Sequence, residues 1–390
     1  VDAAQPARLT QLVQRLSNQV QPYAWGSRTA LPALLGLPET GGPQAELWLG
    51  AHPIAPSRTE SGAGLDAFLA AAPEARLGAA TVARFGPRLP YLLKVLAAAE
   101  PLSLQAHPSL AQARAGFARE EAAGVPLTAP HRSYKDPNHK PELLCALTPF
   151  TALCGFRRVE DTVRFFAALG LDTARLRGEG LGGWFAWVLR ERPGLELERA
   201  LAGARAGVEG FEPECALAGR LAAAYPGDVG LLGALALNLV TLAPGEALYL
   251  DAGNLHAYIE GVGVELMANS DNVLRGGLTP KHVDVTELLS VLDFRDGPAQ
   301  VLRPTGSPEA VYETPAADFR LSRLELRGDY APPRRGPELY LVTAGTATAR
   351  AGAEARALAR GDSLFVAADD GLVTFSGEAT LFRATPGAWP

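Results

Sequence analysis

Lysine is almost missing from this chain: Lys94, Lys135, Lys140 and Lys281 are the only ones among 36 basic residues. Surface charge is therefore carried by arginine, and a lysine that remains is a candidate for work needing a compact ammonium or a tunable amine. Cysteine is scarce as well. Cys145, Cys154 and Cys215 are odd in number and form no CxxC pair, which argues against a disulfide framework and for a reducing, cytoplasmic setting. No apolar run is long enough for a bilayer, since the longest, around Leu231 to Ala243, is broken by Asn238. No charged-then-apolar leader opens the sequence. Positive charge is not in excess either: a net charge of −6 leaves no basic footprint for nucleic acid. Gly178, Gly180, Gly182 and Gly183 follow no strand pattern, so they read as a loop between helices and not as a phosphate cradle.

What is present is a globular chain of 390 residues, 47% hydrophobic and 20% charged, with room for two or three domains. Residues 1 to about 60 read as strands and turns, with alternation from Arg15 to Tyr23 and a strand in AELWLGAHP (45–53). Leu and Ala at helical spacing make 64–84 read as short helical structure. PYLLKVLAAAEPLSLQAHP (90–108) reads as two strands around a turn at Glu100-Pro101, and Ser109 with Gln112 forms a capping box for a helix over 109–122. From 158 to 238 the texture becomes amphipathic and Ala-rich, which predicts a helical insertion. β texture then returns with a repeat: LAPGEALYLDAG (242–253) aligns with LARGDSLFVAAD (358–369). The expected fold is mainly β with an α insertion. Residues 1–157 and 239–300 would form a metal-binding jelly roll, 158–238 a helical unit, and 301–390 a second jelly roll without metal.

The chemistry lies in period-two rows. Strand side chains alternate faces, so Ser103, Gln105 and His107 share one face while Leu102, Leu104 and Ala106 share the other. Asn254, His256 and Tyr258 are likewise opposed by Leu255, Ala257 and Ile259, and Lys140 and Glu142 lie two apart. Polar groups on one face and apolar groups on the other are what line the interior of a small β-barrel. The chain has six histidines. Two of them, with Glu142 and the Gln105 amide, make an N/O set suited to Zn²⁺, and also to Mn²⁺, Co²⁺ or Fe²⁺. The alternative is a group of hydrogen-bonded core polars. Glu265, Asp271 and Arg275 are too polar for a buried segment without a task, and Arg275 with Lys281 suits a phosphate clamp. His52, His131, His139 and His282 show no comparable partners and read as structural or solvated.

YAWGS (23–27), AELWLGAHP (45–53), PYLLKV and SLQAHP within 90–108, YKDPNHKPE (134–142), LCGFR (153–157) and YLDAGNLHAYIEGVGVELMANSDNVLRGGLTPKHVDV (249–285) together resemble type I phosphomannose isomerases. The resemblance spans most of the first 290 residues, while the last hundred agree only in β character. It implies a cupin-like jelly roll, a second jelly roll, a helical insertion and one zinc per chain, with the ligand pattern on Gln105, His107, Glu142 and His256. Its active-site pattern falls on Trp25, Glu46, Lys94, Ser103, Lys140, Tyr258, Glu265, Asp271, Arg275 and Lys281.

The implied reaction interconverts mannose 6-phosphate and fructose 6-phosphate by proton transfer between C1 and C2 through a cis-enediol, with the zinc as Lewis acid. In that scheme Lys140 is the first candidate base and Glu265 its rival. Arg275 stabilises the enediolate or assists proton transfer, Lys94, Ser103 and Lys281 face the phosphate, and Trp25, Glu46, Tyr258 and Asp271 line the substrate site. A small sugar phosphate is the expected partner, with no nucleic acid and no membrane, and the chain is expected as a monomer or weak homo-oligomer. Two rivals remain at this stage: an Fe(II) cupin dioxygenase, which usually has two His, one carboxylate and open positions, and a non-catalytic sugar-phosphate-binding cupin.

Overall fold

The computed structural model describes residues 13–387; residues 1–12 and 388–390, the outer ends of the first and last expected domain ranges, lie outside it. Its two β assemblies are antiparallel throughout, one of eleven strands and one of seven. The first is organised around a single long strand, His256–Ala268. The early part of this strand pairs with Leu104–Ala106 and Phe150–Phe156, and its last eight residues pair with Tyr91–Ala98 and partly with Glu142–Ala146. One strand thus serves two half-sheets, and the space between them is the interior of a jelly roll.

The switch occurs beside a bulge between Tyr258 and Glu260 and at Gly261, whose φ is +126°. A Cβ there would lie 2.6 Å from the Phe150 ring. Gly261→Val is therefore expected to destabilise the protein by at least the ~1–3 kcal/mol of a strained backbone. A urea unfolding midpoint equal to wild type would refute this.

Side-chain alternation decides what each face meets. Leu104, Ala106, Leu255, Ala257 and Ile259 point out of one half-sheet and join the core of the helical unit with Phe165, Phe185 and Leu232. Leu93, Val95, Leu143, Val264 and Leu266 point out of the other half-sheet and pack against Leu321, Leu339, Phe365 and Phe382 of the second β unit. Only the inner faces are left for polar work.

The helical segment runs from Val159 to Leu235 in five helices. The glycines expected as an interhelical loop lie inside the span Ala174–Glu191, where Gly180 (φ 69°, ψ −174°) kinks it. The stretch 64–84 is three short helices, Leu65–Ala70, Pro73–Leu77 and Ala79–Phe85, because Pro73 starts one and Gly78 (φ 83°) ends it. A short helix, Ala30–Leu35, stands where strands and turns were expected, since Leu31 and Leu35 belong to the inter-unit core. The capping box at Ser109 and Gln112 is formed. In the 242–253 and 358–369 repeat, Gly245 (φ 89°) and Gly361 (φ 91°) make corresponding turns into Ala247–Leu250 and Ser363–Val366. The strand Gln14–Leu16 pairs with Ser363–Val366 in the second assembly, so the first described strand lies in that unit and the next, Gln19–Gln21, in the other.

Candidate metal centre and active site

Register brings the first ligand candidates together. Gln105 lies opposite His256 on one side and opposite Arg275 on the strand Leu274–Gly277 on the other. Glu142 starts the strand Glu142–Ala146 and faces Met267 of the long strand. His107 follows Gln105 by two residues, and its Nδ1 meets the Asn272 carbonyl at 2.7 Å. His256 Nδ1 meets the Asn254 carbonyl at 3.0 Å.

A carbonyl only accepts, so both Nδ1 atoms carry a proton, and in the neutral form each Nε2 presents a lone pair. These two lone pairs face the same carboxylate oxygen, Glu142 Oε2, at 3.4 and 3.3 Å. All three atoms are buried without a hydrogen-bond partner and lie within 4.8 Å of one another. Three acceptors directed at one point repel unless a cation joins them, which is how a metal site differs from a hydrogen-bonded core. Burial and then the nearby Lys140 push His107 down to about 4, so it is a neutral imidazole. Burial opposes the Glu142 charge, but the Lys140 ammonium leads the effects that hold the carboxyl well below its ordinary range. The residues fit a divalent ion with N/O preference, with the Gln105 amide on the adjacent strand as a fourth donor.

Around this centre lies a cavity of about 770 Å³, within the range of small-ligand sites. Every remaining residue expected at the site lines it: Trp25, Glu46, Lys94, Ser103, Lys140, Tyr258, Glu265, Asp271, Arg275 and Lys281. Their charges are not equivalent. Lys140 Nζ is paired with Glu142 Oε1 at 2.8 Å. Lys94 is buried between Glu265 at 3.1 Å and Glu46 at 3.6 Å. Burial lowers its pKa, but the two carboxylates outweigh it and raise the net value. Lys94, expected to face a phosphate, thus has its charge held by two protein carboxylates.

Glu46 also accepts from Trp48 Nε1 at 2.6 Å, and Glu265 accepts from Tyr258 OH at 2.9 Å. Burial, with Glu142 and Glu46, raises the Glu265 carboxyl despite Lys94. By contrast, no hydrogen bond or ion pair to protein is found for the side chains of Arg275 and Lys281 among the described residues. Burial lowers the pKa of both, and Arg275 adds to the effect on Lys281. These two are the cations left for an incoming anion.

Sequence reading missed the residues that hold this arrangement. The Asn272 carbonyl supplies the His107 contact, while its side chain is bonded to Lys135, Asp136 and Asn138. Asp136 receives the Asp271 N–H at 2.8 Å and the Ser270 hydroxyl at 3.1 Å. The histidines set aside are also partnered: His52 with Asp271 at 3.2 Å, His139 with Asp318 at 2.8 Å, and His131 with the ring of His282. Only the density of Asn and Asp in 134–142 and 269–272 hinted at such a lattice.

The family model for the catalytic domain of phosphomannose isomerase type I matches residues 13–159. The chain is 41% identical over 388 residues to the mannose-6-phosphate isomerase of Escherichia coli (strain K12), covering 95% of this chain and 99% of that one. With the Homo sapiens mannose-6-phosphate isomerase it is 33% identical over 424 residues, covering 95% and 97%. Among solved structures it is similar to mannose 6-phosphate isomerase from Salmonella typhimurium bound to fructose 6-phosphate and zinc, with a TM-score of 0.88 at 39% identity over 97% of this chain and 100% of that one.

Proposed function

The chain belongs to the type I phosphomannose isomerases, and from that premise we infer how its own residues interconvert mannose 6-phosphate and fructose 6-phosphate. It is a metal-dependent isomerase, and the observation that carries this reading is the convergence of three unpartnered acceptors, His107 Nε2, His256 Nε2 and Glu142 Oε2, of which Glu142 also lines the cavity together with Arg275 and Lys281.

In this reading Gln105, His107, Glu142 and His256 hold the zinc, the ion present in the Salmonella relative. When bound, the ion supplies Lewis-acidic charge against substrate oxygens. Arg275 and Lys281 receive the anionic end of the sugar phosphate, and Arg275 also carries charge toward the enediolate that develops as the C2 proton leaves. Glu265 is the proton carrier between C1 and C2. A carboxyl raised by burial suits a base working near neutral pH, and Tyr258 and Lys94 fix its orientation. Lys140, the other candidate, is engaged with Glu142 and holds that ligand in place. Trp25, stacked on Tyr23 with ring centroids 5.8 Å apart, walls the cavity. Ser103, Glu46 and Asp271 supply hydrogen-bonding groups.

The test is a coupled assay of fructose 6-phosphate formation from mannose 6-phosphate by zinc-loaded protein. No turnover would end the reading, and oxygen consumption would favour a dioxygenase. Glu265→Gln is expected to keep zinc and sugar-phosphate binding while turnover falls by about 10²–10⁴-fold. Unchanged turnover removes Glu265 as the proton carrier.

We also assign the protein to a reducing compartment. Its three cysteines are free and buried, and no helix among the described residues is long and apolar enough to cross a membrane. Burial pushes the Cys145 and Cys154 thiols up to about 11. The native protein is therefore expected to resist a disulfide reagent at neutral pH and to react at all three positions once unfolded. Rapid native labelling would contradict this.

A further inference from the structure

His52 is the one buried histidine near the cavity that the proposed chemistry does not use. It follows the strand Glu46–Leu49, is 2% exposed, and lies edge-on to Trp48 with ring centroids 4.7 Å apart. Its Nδ1 receives the Ile54 N–H at 3.3 Å. A nitrogen that accepts carries no proton, so the proton is on Nε2. Nε2 faces Asp271 Oδ1 at 3.2 Å, and the imidazole donates to the carboxylate.

The Asp271 backbone is held independently, its N–H donating to Asp136 Oδ2 at 2.8 Å. With main chain and Oδ1 both engaged, rotation of the Asp271 carboxylate is restricted. Oδ2 has no protein partner among the described residues, and Asp271 lines the cavity with its side chain 40% exposed. Burial favours the neutral acid, yet the His52 hydrogen bond, with Lys140 and Lys94, holds Asp271 below the usual carboxylate range. The free oxygen is therefore an acceptor.

We propose that His52 is a positioning residue: it fixes Asp271 so that Oδ2 accepts a hydrogen bond from a hydroxyl of the bound sugar phosphate. This rests on the isomerase reading above. The imidazole itself touches no substrate. It removes the rotational freedom that Asp271 would otherwise lose on binding, which is the usual source of rate in oriented groups.

The test uses full-length, zinc-loaded protein with mannose 6-phosphate and the variants His52→Phe, His52→Gln, Asp271→Asn and the double variant His52→Phe/Asp271→Asn. His52→Phe is expected to lose about 10–100-fold in kcat/KM with zinc content unchanged. His52→Gln, which keeps an amide donor, is expected to recover most of that loss. The double variant is expected to be no worse than Asp271→Asn alone, because His52 acts only through Asp271. Losses that multiply would overturn the proposal, since they would mean His52 supports the core and not the carboxylate.

A second readout does not need turnover or a folded His52→Phe. Nitrogen NMR of histidine-labelled protein is expected to show His52 as the Nε2–H tautomer, with its resonances moved by Asp271→Asn. An Nδ1–H tautomer, or resonances indifferent to Asp271→Asn, would refute it. Wild-type protein without isomerase activity would end the functional reading, and the ring signature alone would then decide whether His52 holds Asp271.

Discussion

Glu142→Gln is expected to cost the protein its metal and its turnover together. The substitution keeps the shape of a buried side chain, so the change is electrostatic. Oε2 stands between His107 Nε2 and His256 Nε2, and Oε1 balances Lys140. With an amide in place of the carboxylate, the Lys140 ammonium sits beside the site with no anion to offset it. A divalent ion then enters a pocket of neutral donors and one unbalanced positive charge. Loss of a hydrogen-bonded outer partner of a metal ligand alone weakens binding by 10–100-fold, and loss of the charged ligand itself is expected to exceed about 100-fold. The ion's share of transition-state stabilisation is several kcal/mol, so turnover should fall by about 10³-fold or more at zinc levels that saturate wild type. Elemental analysis and the isomerase assay on one sample check both halves. A variant that keeps one zinc and full turnover would refute the ligand assignment. Stripping wild type with a chelator should reproduce the loss, and added Zn²⁺ should reverse it.

Arg275→Met is expected to separate what Glu142→Gln joins. Arg275 lies across from Gln105 on the neighbouring strand but makes no protein ion pair among the described residues. Its removal leaves no buried carboxylate unpaired, and the zinc content should stay at one. The loss should fall on the reaction, by about 10²–10³-fold in kcat/KM, as for other groups placed where charge develops. Arg275→Lys should recover little, since an ammonium does not reproduce a planar fork, whereas guanidinium added to Arg275→Met should restore part of the rate. Full activity in Arg275→Met would reassign both enediolate stabilisation and anion binding to other cations, Lys281 first.

The two lysines expected to act directly show where sequence reasoning stopped short. Lys94 and Lys140 both reach the cavity, as their rarity and their place in patterned segments suggested. The Lys140 partner, Glu142, stood two residues away in the chain, but the partners of Lys94 were not legible, because Glu46 and Glu265 approach it from separate strands. His52 shows the same limit more sharply. Nothing beside it in the chain marks it, and its partner belongs to a loop that a distant strand delivers. The early strand Gln14–Leu16 was recognised as a strand, but its pairing with the second unit follows from tertiary packing, which no local pattern reports.

By itself the amino-acid order determined most of the strands, the helical unit, the period-two polar rows and the identity of the acceptors that meet at the candidate metal centre. It could do so because the direction of a strand side chain is set by its own backbone, residue by residue. Only the tertiary structure decided which cations are already paired and which are free, which oxygen of Glu142 faces the imidazoles, and that Asn272 and His52 hold the working groups in place. Those outcomes depend on separations of a few ångströms between segments far apart in the chain, and charge interactions and hydrogen bonds are decided at that scale.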